Sequence, residues 1–355
     1  MDERHYWLGF SLISGIGIKR IEKLTAQFGT LRNAWNASEK MLREAKFGES
    51  LIESLLVQRK KIDLQAEFDK LVRQNIQFIT FLEINYPKRL KTINDPPPVL
   101  YVRGELLPQD EKALAIVGTR KCTRYGRDVS AHLAQELAQN GVTIISGLAQ
   151  GIDASAHQGA LRGYGRTIAI LGCGADIIYP REHAELAKQI ISNGALISEF
   201  PLGTQPISKN FPRRNRLISG LSLGVLVVEA PEKSGSLITA STAVEQGRDV
   251  FVIPGNITNQ NASGTNKLLQ DGAKLITSAK DILDELNMEY AVQQTRVRAE
   301  AVAPSTEIEA KILNCIGAEP THIDDIIRES GLSSAEVMGL LTILELKGLA
   351  QSAGY

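Results

Sequence analysis

Residues 113–120, ALAIVGTR, decide the fold class of this 355-residue chain. Five consecutive apolar residues predict a strand buried on both faces, and Gly118, Thr119 and Arg120 follow where that strand must turn. Similar short apolar runs recur at 142–145, 167–171, 195–197, 225–228 and 250–253, and helical patterns such as 127–140 and 182–192 lie between some of them. This alternation predicts an α/β fold with an open, mostly parallel, Rossmann-like sheet.

Pattern changes along the chain predict domains on both sides of this sheet. Residues 1–66 carry short helical patterns and predict a small helical domain of the SAM or helix-hairpin-helix type. Its turn at Gly15 and Gly17 could offer backbone N–H groups to a phosphate or could only allow tight packing. The Rossmann-like domain is expected over 67–287, a linker over 288–304 and a winged-helix-like domain over 305–355.

Composition restricts the class of protein. The chain has 40 basic and 40 acidic residues, so an anion-binding surface requires local segregation of charge. The three cysteines have no metal-ligand or redox spacing, and the first residues do not form a signal peptide. We therefore expect a cytoplasmic protein with no metal and no membrane partner. The sequence ends at Tyr355, where a wing would be forming, so we also expect that the native chain can be longer.

Small and polar residues follow several of the predicted strands, where parallel sheets bind their ligands. Glycine lets the backbone approach a ligand, and hydroxyl and N–H groups donate to anionic oxygens. Tight packing of the turns is the alternative explanation for any single loop. The sequence has neither a dinucleotide-binding nor a P-loop glycine pattern, so no cofactor is expected. The candidate phosphate-binding residues in these loops are Gly118, Thr119, Arg120, Ser146, Gly147, Gly151, Ser234, Gly235, Ser236 and Thr239.

A basic stretch completes the candidate site. Residues 200–228 contain four basic residues and no acid, with one aromatic side chain among the cations. Cations for phosphates and a ring for a base face are what single-stranded nucleic acid requires. In the alternative, the aromatic residue is a core anchor and the arginines pair with Glu199 or Glu229. The candidate residues are Lys209, Phe211, Arg213, Arg214, Asn215 and Arg216.

Catalytic patterns are weak. His157 follows Asp153 by one helical turn, but no nucleophile accompanies the pair. Helix capping explains Asp153, and we expect His157 to be a hydrogen-bonded structural residue. The sequence therefore predicts no catalytic residue.

The order of these motifs resembles the DNA-processing protein A (DprA, also called Smf) family. The resemblance rests on residues 86–104, 115–120, 146–153, 211–218, 234–239 and 254–266, and spans about 86–286. It implies a protein that binds single-stranded DNA and dimerises through its Rossmann-like domain. It further implies recruitment of the recombinase RecA during natural transformation, and cooperation with single-strand-binding protein. The family's DNA pocket falls on Arg120, Lys209 and Phe211.

Two features limit what the resemblance implies. A similar Rossmann variant occurs in nucleotide phosphoribohydrolases of the lysine-decarboxylase-like type, whose catalytic glutamate follows a glycine-rich turn. Here no carboxylate lies between Ser236 and Glu245, so this enzymatic alternative is the less favoured one. Residues 305–355 carry three basic and eight acidic residues, which favours a protein partner over DNA for that domain.

Overall fold

The computed structural model describes residues 1–288, 307–316, 321–346 and 350, so the expected linker lies outside the described residues apart from its first position. The chain forms two compact units, Met1–Tyr290 and Ala291–Tyr355. Across the described ranges, no helix combines the length and apolar character needed to cross a bilayer.

The first unit begins with a helical region. Ile18, Ile21 and Leu24 of its second helix are buried. Its core also receives Phe78 and Tyr101 from the first two strands of the sheet. The helices are α1 (Glu3–Leu12), α2 (Ile18–Phe28), α3 (Leu31–Asn36), α4 (Glu39–Glu44), α5 (Glu49–Arg59) and α6 (Leu64–Arg73).

The expected boundary between residues 66 and 67 is wrong, because it falls inside α6. Leu64 and Leu71 of this helix both bury in the core of the helical region. The helix therefore belongs with α1–α5 along its whole length, and the helical region extends to Arg73.

The sheet has nine strands in the order β1-β2-β6-β5-β4-β3-β7-β8-β9. The β1–β2 and β2–β6 pairs are antiparallel and the other pairs are parallel. The strands are β1 (Gln77–Thr80), β2 (Val99–Gly104), β3 (Ala113–Val117), β4 (Thr143–Ser146), β5 (Thr167–Ile170), β6 (Gly194–Ser198), β7 (Gly224–Val227), β8 (Asp249–Val252) and β9 (Lys274–Leu275).

Helices cover both faces of the sheet. Ala113, Ala115 and Val117 of β3 face one apolar cluster, whereas Leu114 and Ile116 face another, which is why this strand is apolar throughout. The helices between and after the strands are α7 (Lys88–Lys91), α8 (Arg124–Gln139), α9 (Ile152–Arg162), α10 (Ala184–Asn193), α11 (Asn210–Gly220), α12 (Gly235–Glu245), α13 (Ser263–Gln270) and α14 (Ala279–Glu285).

The strand order places a topological switch point between β3 and β7. The chain leaves β3 toward β4 on one side and leaves β7 toward β8 on the other. In open parallel sheets, loops diverge at such a point and leave a crevice beyond the carboxyl ends of the strands, where ligands bind.

The second unit contains the helices α15 (Glu307–Asn314), α16 (Ile323–Ser330) and α17 (Ser334–Leu346). Ile312, Ile326, Val337 and Leu344 form its core. Gly331 ends α16 in the left-handed conformation, with φ of 66°, and so allows the turn into α17. The residues where a wing would form, 347–355, lie outside the described residues apart from position 350.

Candidate functional site

Two cavities open at the carboxyl edge of the sheet. One, of about 390 Å³, lies at the switch point and is lined by the loops that follow β3 and β7. The other, of about 450 Å³, lies on the β4 side. Arg120, Ala149, Phe211 and Arg214 line both cavities, so the two are neighbours with a shared wall. We call the two cavities together the Phe211 groove.

Helix α11 places the Phe211 ring in this wall. The side chain of Asn210 anchors the start of the helix, because its Nδ2 donates to the Gly172 carbonyl at 3.0 Å. The Phe211 ring packs on Gly172, where a Cβ would come within 2.8 Å of the ring, so only glycine fits. The guanidinium of Arg120 lies 5.3 Å from the ring centroid, and the Tyr179 ring centroid lies 5.7 Å away. The half-buried Phe211 ring is thus bordered by a cation and a second aromatic ring.

Arg214 is an internal contact and not the exposed phosphate ligand that the sequence predicts. The residue is 4% exposed, and its guanidinium donates to the carbonyls of Gly147, at 2.9 Å, and Ile170. Burial lowers the pKa of Arg214 to about 10, a net shift that Asp153 opposes and Arg120 reinforces. The side chain is therefore charged at neutral pH, and its hydrogen bonds go to the ends of two strands.

Arg213 and Arg216 pair with a buried acid, which confirms the alternative explanation for these two arginines. A guanidinium nitrogen of Arg213 lies 3.0 Å from a carboxylate oxygen of Glu199, and Arg216 contacts the same oxygen. Burial raises the pKa of Glu199, and the two arginines oppose that shift. Because the Arg216 side chain is only 15% exposed, its prediction as a phosphate ligand is wrong, whereas Arg213 remains 59% exposed.

Part of the loop after β4 also has a structural role. The Ser146 hydroxyl is buried and donates to the Ile116 carbonyl at 2.6 Å, so this side chain cannot reach a ligand as predicted. Gly151 has φ of 81°, and a Cβ there would lie 2.5 Å from the Thr119 carbonyl oxygen. This glycine holds the loops after β3 and β4 against each other, whereas Gly147 lines the groove.

The Asp153–His157 spacing does not produce a catalytic pair. Asp153 accepts hydrogen bonds from the backbone N–H groups of Gly147, at 3.0 Å, and Ala149, at 3.4 Å. His157 is fully buried, with Nδ1 2.6 Å from the Thr167 hydroxyl, and burial lowers its pKa to about 3. The prediction of a hydrogen-bonded structural histidine is confirmed.

The remaining loop candidates shape the cavity at the switch point. The Ser234 hydroxyl caps α12 by accepting from the backbone N–H of Ser236 at 3.3 Å. Asn215 donates to the Gly235 carbonyl at 3.2 Å and so fixes α11 beside this cap. The cavity is lined by Gly118, Thr119, Arg120, Asn215, Ser234, Gly235, Ser236 and Thr239, all of which the sequence predicts as ligand contacts.

The groove also contains cations and an aromatic residue that sequence reasoning missed. Tyr179 and Arg181 line the cavity on the β4 side, and Lys121 and Lys233 line the cavity at the switch point. The sequence did contain features that could have identified them. Tyr179 lies two positions from a cation in the segment after β5, and each lysine lies next to a predicted loop residue. Lys209 is exposed at the residue before α11 and lines neither cavity.

Comparison with known proteins identifies the family. The family model described as DNA recombination-mediator protein A matches residues 77–287. The chain belongs to this family. A model of the DprA winged helix domain matches residues 296–354, so the second unit is the winged helix domain that the sequence predicts. The Smf protein of Synechocystis sp. is 37% identical, and the alignment covers 98% of this chain and 96% of the Synechocystis protein.

Two solved structures of DprA proteins share this fold. The Streptococcus pneumoniae protein is 34% identical with a TM-score of 0.70, and the match covers 80% of this chain and 98% of the other. The Helicobacter pylori protein, whose structure is described as giving insight into its single-stranded DNA binding mode, is 36% identical with a TM-score of 0.54. That match covers 59% of this chain and 96% of the other. The resemblance drawn from the ordered motifs is therefore confirmed.

The internal position of Arg214 makes a prediction about stability. Arg214→Met should lower the free energy of unfolding by about 2–5 kcal/mol, because it leaves the Gly147 and Ile170 carbonyls without their donor. Arg120→Met is the matched control and should change it by no more than about 0.5 kcal/mol, since Arg120 is exposed. Urea unfolding of both variants measures the difference. Equal stability of the two variants would contradict the structural role of Arg214.

Proposed function

We propose that this DprA-family chain binds single-stranded DNA in the Phe211 groove and promotes the loading of RecA onto that strand during DNA uptake and recombination. The observation that carries the proposal is the Phe211 ring, half-buried in the shared wall, with the Arg120 guanidinium 5.3 Å from its centroid. Proteins that hold single strands combine an aromatic platform for a base with cations for the adjacent phosphates. The single-stranded DNA binding mode described for the Helicobacter pylori relative supports the same ligand class.

The charge distribution around the ring fits a single strand. Arg120, Lys121 and Lys233 line the cavity at the switch point, and Arg181 lines its neighbour. The chain as a whole has no excess of positive charge, so these cations are a local concentration. Phosphates of a bound strand would contact them, while the hydroxyl groups of the Ser234 cap and the N–H groups beside it add neutral donors.

Removal of a cation from the groove, Arg120, or from the residue before α11, Lys209, should weaken binding in a salt-dependent way. Arg120→Ala and Lys209→Ala should each raise the dissociation constant for an oligothymidylate. Each should also make the slope of log K against log salt shallower by about 0.7, the value for one single-strand phosphate. Fluorescence anisotropy over a salt series measures both quantities. Arg162→Ala is the control, because this exposed arginine ends α9 at the opposite edge of the sheet. If all three variants match the parent, the assigned pocket is wrong.

Removal of the ring should weaken binding without changing the salt slope. Phe211→Ala should cost about 1–3 kcal/mol of binding free energy if a base stacks on the ring. Phe211→Tyr should retain most of the affinity. Because Phe211 also packs on Gly172, a melting curve of each variant belongs beside the titration. A lower melting temperature combined with unchanged DNA affinity would show that the ring is only a core anchor.

We further propose that binding, not catalysis, is the role of this site. The first carboxylate after the Ser234 cap is Glu245, at the far end of the 11-residue helix α12. At about 1.5 Å per residue, that is roughly 15 Å away, too far for a glutamate that must contact a nucleotide at the cap. Incubation with nucleoside monophosphates tests the phosphoribohydrolase alternative, and release of free base would overturn the binding role.

Family membership supports the partners that we propose. They are RecA, single-strand-binding protein and a second copy of this chain joined through the Rossmann-like domain, all in the cytoplasm.

The chain should accelerate RecA assembly on DNA coated with single-strand-binding protein, and Arg120→Ala should reduce that effect as it reduces DNA affinity. RecA-dependent ATP hydrolysis on coated DNA measures the rate. No acceleration by the parent chain would contradict the loading role, and a monomeric mass in light scattering would contradict the homodimer.

A further inference from the structure

A third cavity opens at the carboxyl edge of the sheet, on the β8 side of the switch point. It has a volume of about 430 Å³. The start of α8 supplies Thr123 and Tyr125 to its lining, the end of β7 leads to Glu229, and the loop after β8 supplies Asn256 and Asn259. The Phe211 groove does not account for this cavity, although Pro254, Gly255 and Asn256 of its lining belong to the motif at 254–266.

The third cavity is the next one along the edge after the Phe211 groove. The loop after β3 serves both, because its residue Lys121 lines the groove and Thr123, two positions later, lines the third cavity. Hydrogen bonds hold this loop in place. The backbone N–H of Thr119 donates to the Glu229 carbonyl at 2.7 Å, and Asn261 donates to the Lys121 carbonyl at 2.9 Å. A single DNA strand that leaves the Phe211 groove toward β8 therefore reaches the third cavity next.

The lining suits a nucleobase better than a phosphate. Glu229 is buried, and its carboxylate accepts hydrogen bonds from the backbone N–H of Thr123, at 2.8 Å, and from its hydroxyl. A carboxylate in the lining repels a phosphate but has lone pairs left to accept from the N–H groups of a base. Tyr125 adds a ring that is 53% exposed, which is the platform that base stacking requires.

The cations lie beside the cavity and not inside it. Lys121 and Lys233 are exposed in the lining of the Phe211 groove, and neither lines the third cavity. This arrangement places positive charge where the phosphates of a DNA strand would run between the groove and the third cavity. The third cavity itself is left to a neutral group.

We propose that the third cavity is a second nucleobase subsite, in which Tyr125 stacks on a base of the strand whose other bases occupy the Phe211 groove. The proposal rests on the proposed function, since it extends the path of the same single strand. Lys121 contacts the phosphates between the two subsites, and Glu229 excludes phosphate from the second. Strands too short to span both subsites use only the first.

A length series with tyrosine variants tests this subsite. The probes are oligothymidylates from about 4 to about 16 nucleotides, the range of common single-strand site sizes. Tyr125→Ala should bind the shortest probes like the parent and the longest ones roughly 5- to 150-fold more weakly, the loss of one stacked base. Tyr125→Phe should match the parent at every length. Tyr164→Ala is the control, because this exposed tyrosine precedes β5 at the opposite edge of the sheet.

A crosslinking experiment gives a second, independent readout. An oligothymidylate with one 5-iodo-2′-deoxyuridine near the end should crosslink to the peptide that contains Tyr125 in the parent chain. The crosslink should be lost when the probe is shortened to the length at which Tyr125→Ala has no effect. Mass spectrometry of the digested complex identifies the peptide.

The outcomes separate this subsite from the Phe211 groove. Equal binding of Tyr125→Ala and the parent at every length overturns the subsite, and so does an equal loss at every length, which would place Tyr125 in the first site. If Phe211→Ala loses affinity at all lengths and Tyr125→Ala at none, the proposed function stands and the subsite fails. A length-dependent loss in Tyr125→Ala, with Phe211→Ala binding like the parent, would support the base contact of Tyr125 and overturn the stacking of a base on Phe211.

Discussion

The buried guanidinium of Arg214 is the contact on which the candidate site depends. It donates to the carbonyl at Gly147, after β4, and to that of Ile170, at the end of β5, so one side chain fastens α11 to two neighbouring strands. Because Phe211 lies one turn earlier on the same helix, fixing Arg214 also fixes the position of the ring. A buried charge is costly unless its hydrogen bonds are met, and here both carbonyls accept from one guanidinium nitrogen, Nη1.

The surrounding backbone leaves room for this guanidinium. A Cβ at position 147 would lie 2.5 Å from Nη2 of Arg214, so the glycine after β4 leaves room for the arginine. Asp153 lowers the cost of the buried charge from nearby, while its own carboxylate is held by backbone N–H groups. The polar groups around Arg214 form one hydrogen-bonded and charged network, which fixes the wall between the two cavities of the Phe211 groove.

One buried acid and one buried arginine explain why the basic stretch presents less positive charge in the folded protein than the sequence suggests. Residues 200–228 contain no acid, but Glu199 and Glu229 lie immediately on either side. Glu199 pairs with Arg213 and Arg216, and Arg214 is buried, so exposed charge at the groove comes mainly from other segments. Arg120 comes from the loop after β3 and Lys233 from the loop after β7. A count of charges along a segment cannot show such pairing, because the pairing depends on tertiary packing.

The difference between a pattern along the chain and contacts made by tertiary packing also explains which features the sequence could predict. The parallel strands β3 to β8 were predictable because each contains a continuous apolar run, and the glycine-rich loops follow from where those runs stop. The two-residue strand β9, Lys274–Leu275, is not such a run and was missed. The antiparallel strands β1 and β2 were missed, since runs of four and six residues beside a helical region give no comparable signal. The proximity of Phe211 to Arg120 was implied by the family resemblance, and Tyr179 was missed. These neighbours come from two loops and the start of helix α11, which only the sheet order brings together.

The sheet order also bears on what kind of ligand the edge can hold. Gly172 follows β5 and Asn256 follows β8, and four strand spacings separate these strands in the sheet. At about 4.8 Å per spacing, the cavities extend along roughly 19 Å of one edge. A single nucleotide would fill one cavity and leave the others to water, whereas a strand of several nucleotides can contact each loop in turn. Because parallel strands all present their carboxyl ends at this edge, the fold itself supplies a linear array of loops, and a linear polymer is the ligand that matches it.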